Sequence, residues 1–132
     1  MRTLRTGTDL VQVSRIAESL ETFGDRFLRR VYTDAEIAYA TSVPSQAPQR
    51  LAARFAAKEA TFKALGLVDH PMNWRDIEVL RSPSGHCAVA LHNGAGVAAS
   101  VAGVHEIAVS MSHEGDYATA VVMARVHVTA ET

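Results

Sequence analysis

The stretch FAAKEATFKALG, residues 55–66, decides the fold, since its apolar residues predict a helix at the centre of the core. The same stretch also carries three charged residues, which a core helix does not need. Alanine, phenylalanine and leucine fill most of its positions, and at about 100° per residue they cover two sides of a helix. An alanine face allows another backbone to approach closely, so we expect this helix to be packed on both sides. Lys58 then falls within the large apolar stripe, Glu59 lies at its flank, and Lys63 lies one turn beyond Glu59.

The charges of this helix have two interpretations. Glu59 and Lys63 stand four residues apart, and such a pair on an exposed helix contributes only about 0.2–0.5 kcal/mol. Lys58 can lay its stem on apolar surface and keep its ammonium group in water. Alternatively, a carboxylate and two ammonium groups form the rim of a cleft, a combination that suits a hard cation together with phosphate oxygens. Taken alone, the stretch favours the surface ion pair.

Hydrophobic spacing and turn residues predict the other elements of the chain. The central helix is expected to run from about Pro48 to Leu65 and to stop at Gly66. A first strand is expected to be interrupted at Gly7, where the missing side chain permits a close backbone approach. Further predicted helices cover residues 12–31 (with a break at Gly24), 33–40 (with a capping box of Thr33 and Glu36) and 93–103; predicted strands cover residues 3–11, 76–81, 86–92, 106–113 and 117–128.

The order of these elements indicates the fold class. We expect a single α+β domain over residues 1–132, with one mostly antiparallel sheet of about four or five strands packed against helices. The tail from about residue 128 is expected to be frayed.

Composition excludes several classes of protein. The chain is 48% hydrophobic and 20% charged, as in a folded globular domain, and its net charge of −1 gives no basic field for nucleic acid. The single cysteine, Cys87, excludes an internal disulfide and suits a reducing cytoplasm. No apolar run approaches the roughly 20 residues of a membrane span, and the N-terminus does not resemble a secretory signal. We therefore expect a cytoplasmic protein without a membrane or nucleic-acid partner.

Two segments taken together resemble a known family. GTDLVQVSRI at residues 7–16 resembles the pattern G-x-D-x(5)-R-I, and RFAAKEATFKALG at residues 54–66 resembles R-F-x-x-K-E-A-x-x-K-A-x-G. Both patterns belong to the 4′-phosphopantetheinyl transferases, in particular to the short holo-(acyl-carrier-protein) synthase type. The resemblance continues through residues 74–91 and 107–124, so it covers nearly the whole chain in the right order.

The resemblance implies a magnesium-dependent enzyme that acts on coenzyme A. Members of this family move the phosphopantetheine arm of coenzyme A onto a serine hydroxyl of an acyl or peptidyl carrier protein and release adenosine 3′,5′-bisphosphate. The short members assemble as homotrimers with sites between neighbouring subunits. Whether the carrier serves fatty-acid, polyketide or peptide synthesis stays open. Two other hypotheses also stay open: a non-catalytic module that binds coenzyme A or a carrier protein, and a purely structural trimer.

The family motifs also imply a role for individual residues of this chain. Asp9 and Glu59 would bind Mg²⁺, and either Glu59 or a metal-bound water would remove the serine proton. The implied catalytic residues are Glu59, Lys63 and His113; the implied coenzyme A contacts are Arg54 (on the ribose 3′-phosphate), Lys58, Lys63, Gly66 and His113; and the implied carrier contacts are Arg15, Arg26 and Phe27.

The chain departs from the family pattern at GHC, residues 85–87, where members usually carry G-K-P. This change removes a lysine that could touch coenzyme A and places Cys87 after the hairpin turn. Ser112 next to His113 is not expected to form a nucleophilic pair with it, because adjacent strand residues point to opposite faces. The histidines show no zinc-ligand spacing.

Overall fold

The computed structural model describes residues 1–67 and 71–128. Its helices and strands follow one another as β1 (Arg2–Gln12), α1 (Val13–Phe23), α2 (Asp25–Val31), α3 (Asp34–Thr41), α4 (Ala47–Leu65), β2 (Ile77–Arg81), β3 (Cys87–Leu91), α5 (Asn93–Ala102), β4 (Val104–Glu114) and β5 (Tyr117–His127), with short 3-10 turns at Pro44–Gln46 and Trp74–Asp76. The α+β class and the antiparallel pairing are as expected. Of the tail predicted to be frayed, residues 129–132 lie outside the described residues.

The expectation of one sheet is wrong, because the strands form two. β1, β5 and β4 make a three-stranded antiparallel sheet with β5 in the centre, and β2 and β3 make a separate hairpin. A cavity of about 250 Å³, lined by Cys87 and Met111 among others, opens between β3 and β4. Strand periodicity identifies the strands but not their partners, so the sequence did not reveal this gap.

Helix α4 is the centre of the molecule and packs along the three-stranded sheet. A side chain at Gly7 would place its Cβ 2.0 Å from the Ala60 carbonyl oxygen and 2.8 Å from the Ala64 amide nitrogen. The predicted close approach at Gly7 is therefore confirmed, whereas the predicted interruption is not, since β1 runs through Gly7 without a break. The alanine face of α4 is what lets the strand come so near.

The side of α4 that faces away from the sheet packs on the single tryptophan, Trp74. The helix ends at Gly66, as the sequence predicted. The Trp74 ring lies 5.5 Å from that of Phe55 and 5.7 Å from that of Phe62, centroid to centroid. Gly66 caps the helix in the left-handed region, with φ at 65°. The helix is thus buried on two sides, as its sequence indicated.

The outer face of the three-stranded sheet carries exposed apolar side chains. Leu4 and Leu10 of β1 are 56% and 64% exposed, and Val121 and Met123 of β5 are 47% and 45% exposed. We call these four residues and the strand surface between them the outer sheet face. In the described part of the chain, no helix has the length and apolar character that crossing a membrane requires.

Candidate active site

Strand β1 and helix α4 bring Asp9, Glu59 and Lys63 together, and we call these residues the carboxylate cluster. Asp9 lies two residues after Gly7 and so faces α4. The Lys63 ammonium donates to Asp9 Oδ1 at 3.1 Å and to the Thr8 carbonyl oxygen at 3.2 Å. The Asp9 side chain is 16% exposed and that of Lys63 is 52% exposed. The carboxylate of Asp9 is therefore mostly buried, while Lys63 lies at the solvent-exposed side of the cluster.

The electrostatics of the cluster show two carboxylates competing for one ammonium group. Burial raises the pKa of Glu59, the charge of Asp9 raises it further, and Lys63 partly opposes both. A carboxylate in this environment is destabilised in its charged form and gains from a cation or from a proton.

The same cluster fits a magnesium ion. Carboxylate oxygens are the ligands Mg²⁺ prefers, and the ion usually takes only one or two of them beside waters and substrate phosphates. Asp9 and Glu59 supply two, and within residues 1–67 and 71–128 no third His, Cys, Asp or Glu completes a closed protein cage. Such a donor set leaves most of the coordination sphere to water and substrate.

Lys58, expected to contact coenzyme A, lies instead in the core. Its ammonium group is fully buried and lies 2.8 Å from Glu36 Oε1, and it also donates to the carbonyl oxygens of Trp74 and Ile77. Burial lowers the pKa of Lys58, and the Glu36 carboxylate opposes that shift. All three N–H groups are used and none reaches the surface, so these contacts favour a structural role for Lys58 over a contact with coenzyme A.

A second group of site residues lies on the opposite flank of α4, around a cavity of about 240 Å³. We call it the arginine cavity; its lining includes Tyr39, Arg50, Arg54, Arg81, Cys87 and His113. The guanidinium carbons of Arg50 and Arg54 each lie 4.3 Å from the centroid of the Tyr39 ring, and that of Arg81 lies 5.2 Å away. Positive charge is thus gathered on one aromatic ring.

Arg54 stands out within the arginine cavity because it is 5% exposed and forms no hydrogen bond with any other described residue. By contrast, Arg50 donates to the Tyr39 carbonyl oxygen at 2.9 Å and to Gln46 Oε1 at 2.8 Å. Burial lowers the pKa of Arg54, while Tyr39 and Cys87 act in the opposite sense. A desolvated guanidinium with open donors is suited to bind an anion such as phosphate.

Apart from Lys58 and the residues expected to meet a carrier protein, the expected site residues therefore fall into two groups within one chain. Arg54 and Glu59 are five positions apart on α4, which separates their directions by about 140°. His113, on β4, joins Arg54 in the arginine cavity. Gly66, at the end of α4 just beyond Lys63, lies on the side of the carboxylate cluster, near Arg5.

The sequence did not point to Tyr39, Arg50 or Arg81 in the arginine cavity. Arg50 carried a usable signal, because it precedes Arg54 by four residues and so shares its side of the helix. Tyr39 and Arg81 come from α3 and β2, and nothing local to those elements indicates that they meet.

The residues expected to meet a carrier protein lie on α1 and α2. Arg26 and Phe27 line a shallow cavity of about 250 Å³ with Phe23 and Arg30, while Arg15 is exposed on α1 and is not part of its lining. The Phe23 side chain is 57% exposed. The exposed Phe23 ring and the two arginines that line the same cavity form a mixed apolar and basic surface.

Comparison with known proteins agrees with these motifs. The model of the 4′-phosphopantetheinyl transferase superfamily matches residues 5–122. A holo-(acyl-carrier-protein) synthase of Koribacter versatilis is 46% identical over 121 residues, covering 91% of this chain and 96% of that protein. The corresponding protein of Moorella thermoacetica is 44% identical over 120 residues, covering 91% and 92%.

Solved structures show the same fold. An ACPS–CoA complex of Chronobacterium ammoniagenes superposes with a TM-score of 0.84 at 32% identity, covering 96% of this chain and 99% of that one. The agreement extends over motifs, sequence and fold, and the chain belongs to the 4′-phosphopantetheinyl transferase superfamily as an enzyme of the holo-(acyl-carrier-protein) synthase type.

Proposed function

We propose that this enzyme transfers the 4′-phosphopantetheine group of coenzyme A to a serine hydroxyl of an acyl carrier protein, with Mg²⁺, and releases adenosine 3′,5′-bisphosphate. The observation that carries the proposal is the arrangement along α4, which holds a carboxylate cluster on one flank and an arginine cavity on the other. A pyrophosphate with a further ribose phosphate needs both kinds of partner. The relatives described above are named for this activity, and one neighbour is a complex with coenzyme A.

Each flank has its own part in the proposed reaction. The serine oxygen attacks the phosphorus that bears the pantetheine arm, and the pyrophosphate bond to the nucleotide breaks. Mg²⁺ bound by Asp9 and Glu59 would neutralise charge on the pyrophosphate. Lys63 would donate to a pyrophosphate oxygen, exchanging its present contact with Asp9. Glu59, whose raised pKa suits a proton acceptor, or a water beside it would take the serine proton.

On the other flank, Arg54 and His113 would hold the phosphates of the nucleotide. The buried guanidinium of Arg54 offers several donors in one plane, which matches the oxygens of a phosphomonoester. His113 lines the same cavity and would add a further donor. Lys58 has no direct part in binding and instead stabilises the helix that presents both flanks.

We further propose a homotrimer in which the two flanks of neighbouring subunits meet. Within one chain, α4 separates the carboxylate cluster from the arginine cavity, so one coenzyme A would need a flank from each of two subunits. The outer sheet face supplies an apolar surface suited to pairing around a threefold axis. Residues 1–132 would act as one catalytic domain in the cytoplasm, with no nucleic acid or membrane partner.

Transfer is tested by intact mass spectrometry of apo carrier proteins incubated with coenzyme A, Mg²⁺ and the enzyme. We expect a gain of one phosphopantetheine on at least one carrier from a panel that includes fatty-acid, polyketide and peptide carriers. Glu59→Gln is expected to abolish the gain and keep the melting temperature. Asp34→Asn, which makes the same chemical change at a carboxylate 92% exposed and outside both flanks, is the matched control. No gain on any carrier would refute the proposal.

The shared site is tested by complementation between two inactive variants. Arg54→Gln removes one flank and Glu59→Gln the other, and the two are co-expressed in equal amounts. If sites form between subunits of a cyclic assembly, random mixing restores both intact flanks at about one interface in four, so about a quarter of the wild-type rate returns. If each chain carries its own site, the mixture stays inactive.

Docking of the carrier protein is proposed on the surface of Arg15, Arg26 and Phe27. Carrier proteins are acidic, so the arginines would steer them and the exposed Phe23 would supply apolar contact. Arg26→Glu is expected to raise KM for the carrier without changing KM for coenzyme A. Equal changes in both constants would place Arg26 outside the docking surface.

A further inference from the structure

Cys87 lies at the arginine cavity, although the transfer reaction needs no thiol there. It is the first residue of β3 and lines both the arginine cavity and the smaller cavity between β3 and β4. It is also the only cysteine of the chain, and its side chain is half-buried rather than sealed in the core. Cys87 therefore lies on the wall of the cavity in which the Arg54 guanidinium would bind an anion.

Arg54 gives independent evidence that this wall faces an anionic ligand. Arg54 is more than nine-tenths buried, lines the arginine cavity beside the Tyr39 ring and has no hydrogen-bond acceptor among the described residues. Among the described residues no fully buried side-chain nitrogen lacks a partner, so the Arg54 N–H groups reach the cavity, where an entering acceptor can use them. The cavity lining adds Arg50 and Arg81 and, among residues 1–67 and 71–128, includes no Asp or Glu. The local field thus favours negatively charged reagents over neutral or cationic ones.

We propose that Cys87 is a modification site for anionic low-molecular-weight disulfides, and that the resulting mixed disulfide closes the arginine cavity. The Cys87 thiol first loses its proton to solvent, and the thiolate attacks one sulfur of the disulfide. A new S–S bond forms to Cys87, the original S–S bond breaks, and the departing thiolate takes up a proton. The carboxylates of the attached half then occupy the donors of Arg54.

This arrangement makes the nucleotide end of the site sensitive to the oxidation state of small thiols. An attached anionic group would compete with the phosphates of coenzyme A for the same guanidinium groups. Reduction by a free thiol would reverse the attachment and reopen the cavity. Control of transfer by this route rests on the proposed function, whereas formation of the adduct and loss of anion binding do not.

The first test compares two symmetrical disulfides of opposite charge, glutathione disulfide and cystamine. Adduct formation on the native protein is followed by intact mass spectrometry, and each rate is divided by the rate for the same protein unfolded in urea. This ratio removes the intrinsic reactivity of each reagent. We expect the ratio for glutathione disulfide to exceed that for cystamine by at least about tenfold at low salt, and to fall as salt is added.

Two variants and one ligand sharpen this comparison. Cys87→Ser should form no adduct with either reagent, since no other cysteine is present. Arg81→Gln should reduce the preference for the anionic reagent while leaving the reaction with cystamine as fast or faster. Adenosine 3′,5′-bisphosphate should slow the anionic reagent. A ratio for cystamine equal to or above that for glutathione disulfide would overturn the proposal.

The second test measures what the adduct does to the cavity. Calorimetry with adenosine 3′,5′-bisphosphate should show binding to the unmodified protein, loss of binding in the glutathione adduct, and recovery after reduction. Unchanged binding in the adduct would overturn the inference even if the unmodified enzyme transfers phosphopantetheine. Conversely, a selective adduct that blocks nucleotide binding on a protein without transfer activity would refute the proposed function and leave the Cys87 site standing.

Discussion

Replacing Glu36 by glutamine should cost much of the stability of the fold. Glu36 is 1% exposed, and its two carboxylate oxygens accept three hydrogen bonds. Oε1 accepts from the Thr33 amide and from the Lys58 ammonium, both at 2.8 Å, and Oε2 accepts from the Val79 amide at 2.9 Å. The carboxylate thus joins the start of α3, the middle of α4 and strand β2.

The magnitude of the loss follows from these contacts. Removing one partner of a buried ion pair costs about 3–5 kcal/mol, because the other charge stays buried without compensation. An amide at position 36 must also turn its NH₂ group toward a backbone N–H, whichever way it is placed, since both oxygens accept from the backbone. We therefore expect Glu36→Gln to lose about 3–5 kcal/mol of the roughly 5–15 kcal/mol typical of a domain.

Trp74 provides the assay because it is the only tryptophan and its carbonyl oxygen accepts from Lys58. Its fluorescence is followed during urea unfolding at one fixed protein concentration, since association would otherwise change the midpoint. Glu18→Gln, at an exposed position of α1, is the matched control and should change the free energy of unfolding by less than about 0.5 kcal/mol.

A second variant separates the ion pair from simple loss of packing. Lys58→Met removes the charge, so the double variant with Glu36→Gln no longer buries an unpaired ammonium group. Its loss should be smaller than the sum of the two single losses by more than about 1 kcal/mol. A loss below about 1 kcal/mol for Glu36→Gln alone would show that the pair does not hold α4 in place.

Two further perturbations test contacts outside the Glu36–Lys58 pair. Gly7→Ala places a Cβ 2.0 Å from the Ala60 carbonyl oxygen, so thermal melts should show a loss of about 1–3 kcal/mol or more in the free energy of unfolding. Transfer activity should also fall, because β1 carries Asp9. An unchanged melting temperature would contradict the close approach. Hydrogen bonds from Ser14 hold the pKa of Asp116 below its ordinary value of 3.8, so this contact stabilises the fold above that pH and is lost as the pH falls through the lowered pKa. Asp116→Asn should therefore flatten the decline in melting temperature as the pH falls below about 5, and equal slopes for the two proteins would refute the assignment.

Features set by neighbours in sequence could be predicted. The ends of α4, the capping box at Thr33 and the close approach at Gly7 all depend on residue types within one element and its cap. The carboxylate cluster could also be predicted, because Asp9 and Glu59 lie in sequence motifs that resemble those of a known family. Each of these signals is local or carried by a motif.

Features set by partners from other elements could not be predicted. The ammonium group of Lys58 was expected in water, because the spacing of residues along α4 does not show that the Glu36 carboxylate of α3 pairs with it. The split of the strands into two sheets depends on pairing, which alternation alone leaves open. The arginine cavity draws Tyr39 from α3 and Arg81 from β2, so it becomes visible only when the chain is folded.

The buried Arg54 side chain makes the thermal stability of the folded protein depend on the concentration of its ligand. Arg54 is 5% exposed and has no hydrogen-bond acceptor among the described residues, so its positive charge carries a desolvation cost. An anion that enters the cavity relieves this cost, so the melting temperature should rise with nucleotide concentration as any preferential binding to the native state requires. Replacing Arg54 by leucine or methionine would increase the stability of the fold and remove phosphate binding. Position 54 therefore exchanges stability for function.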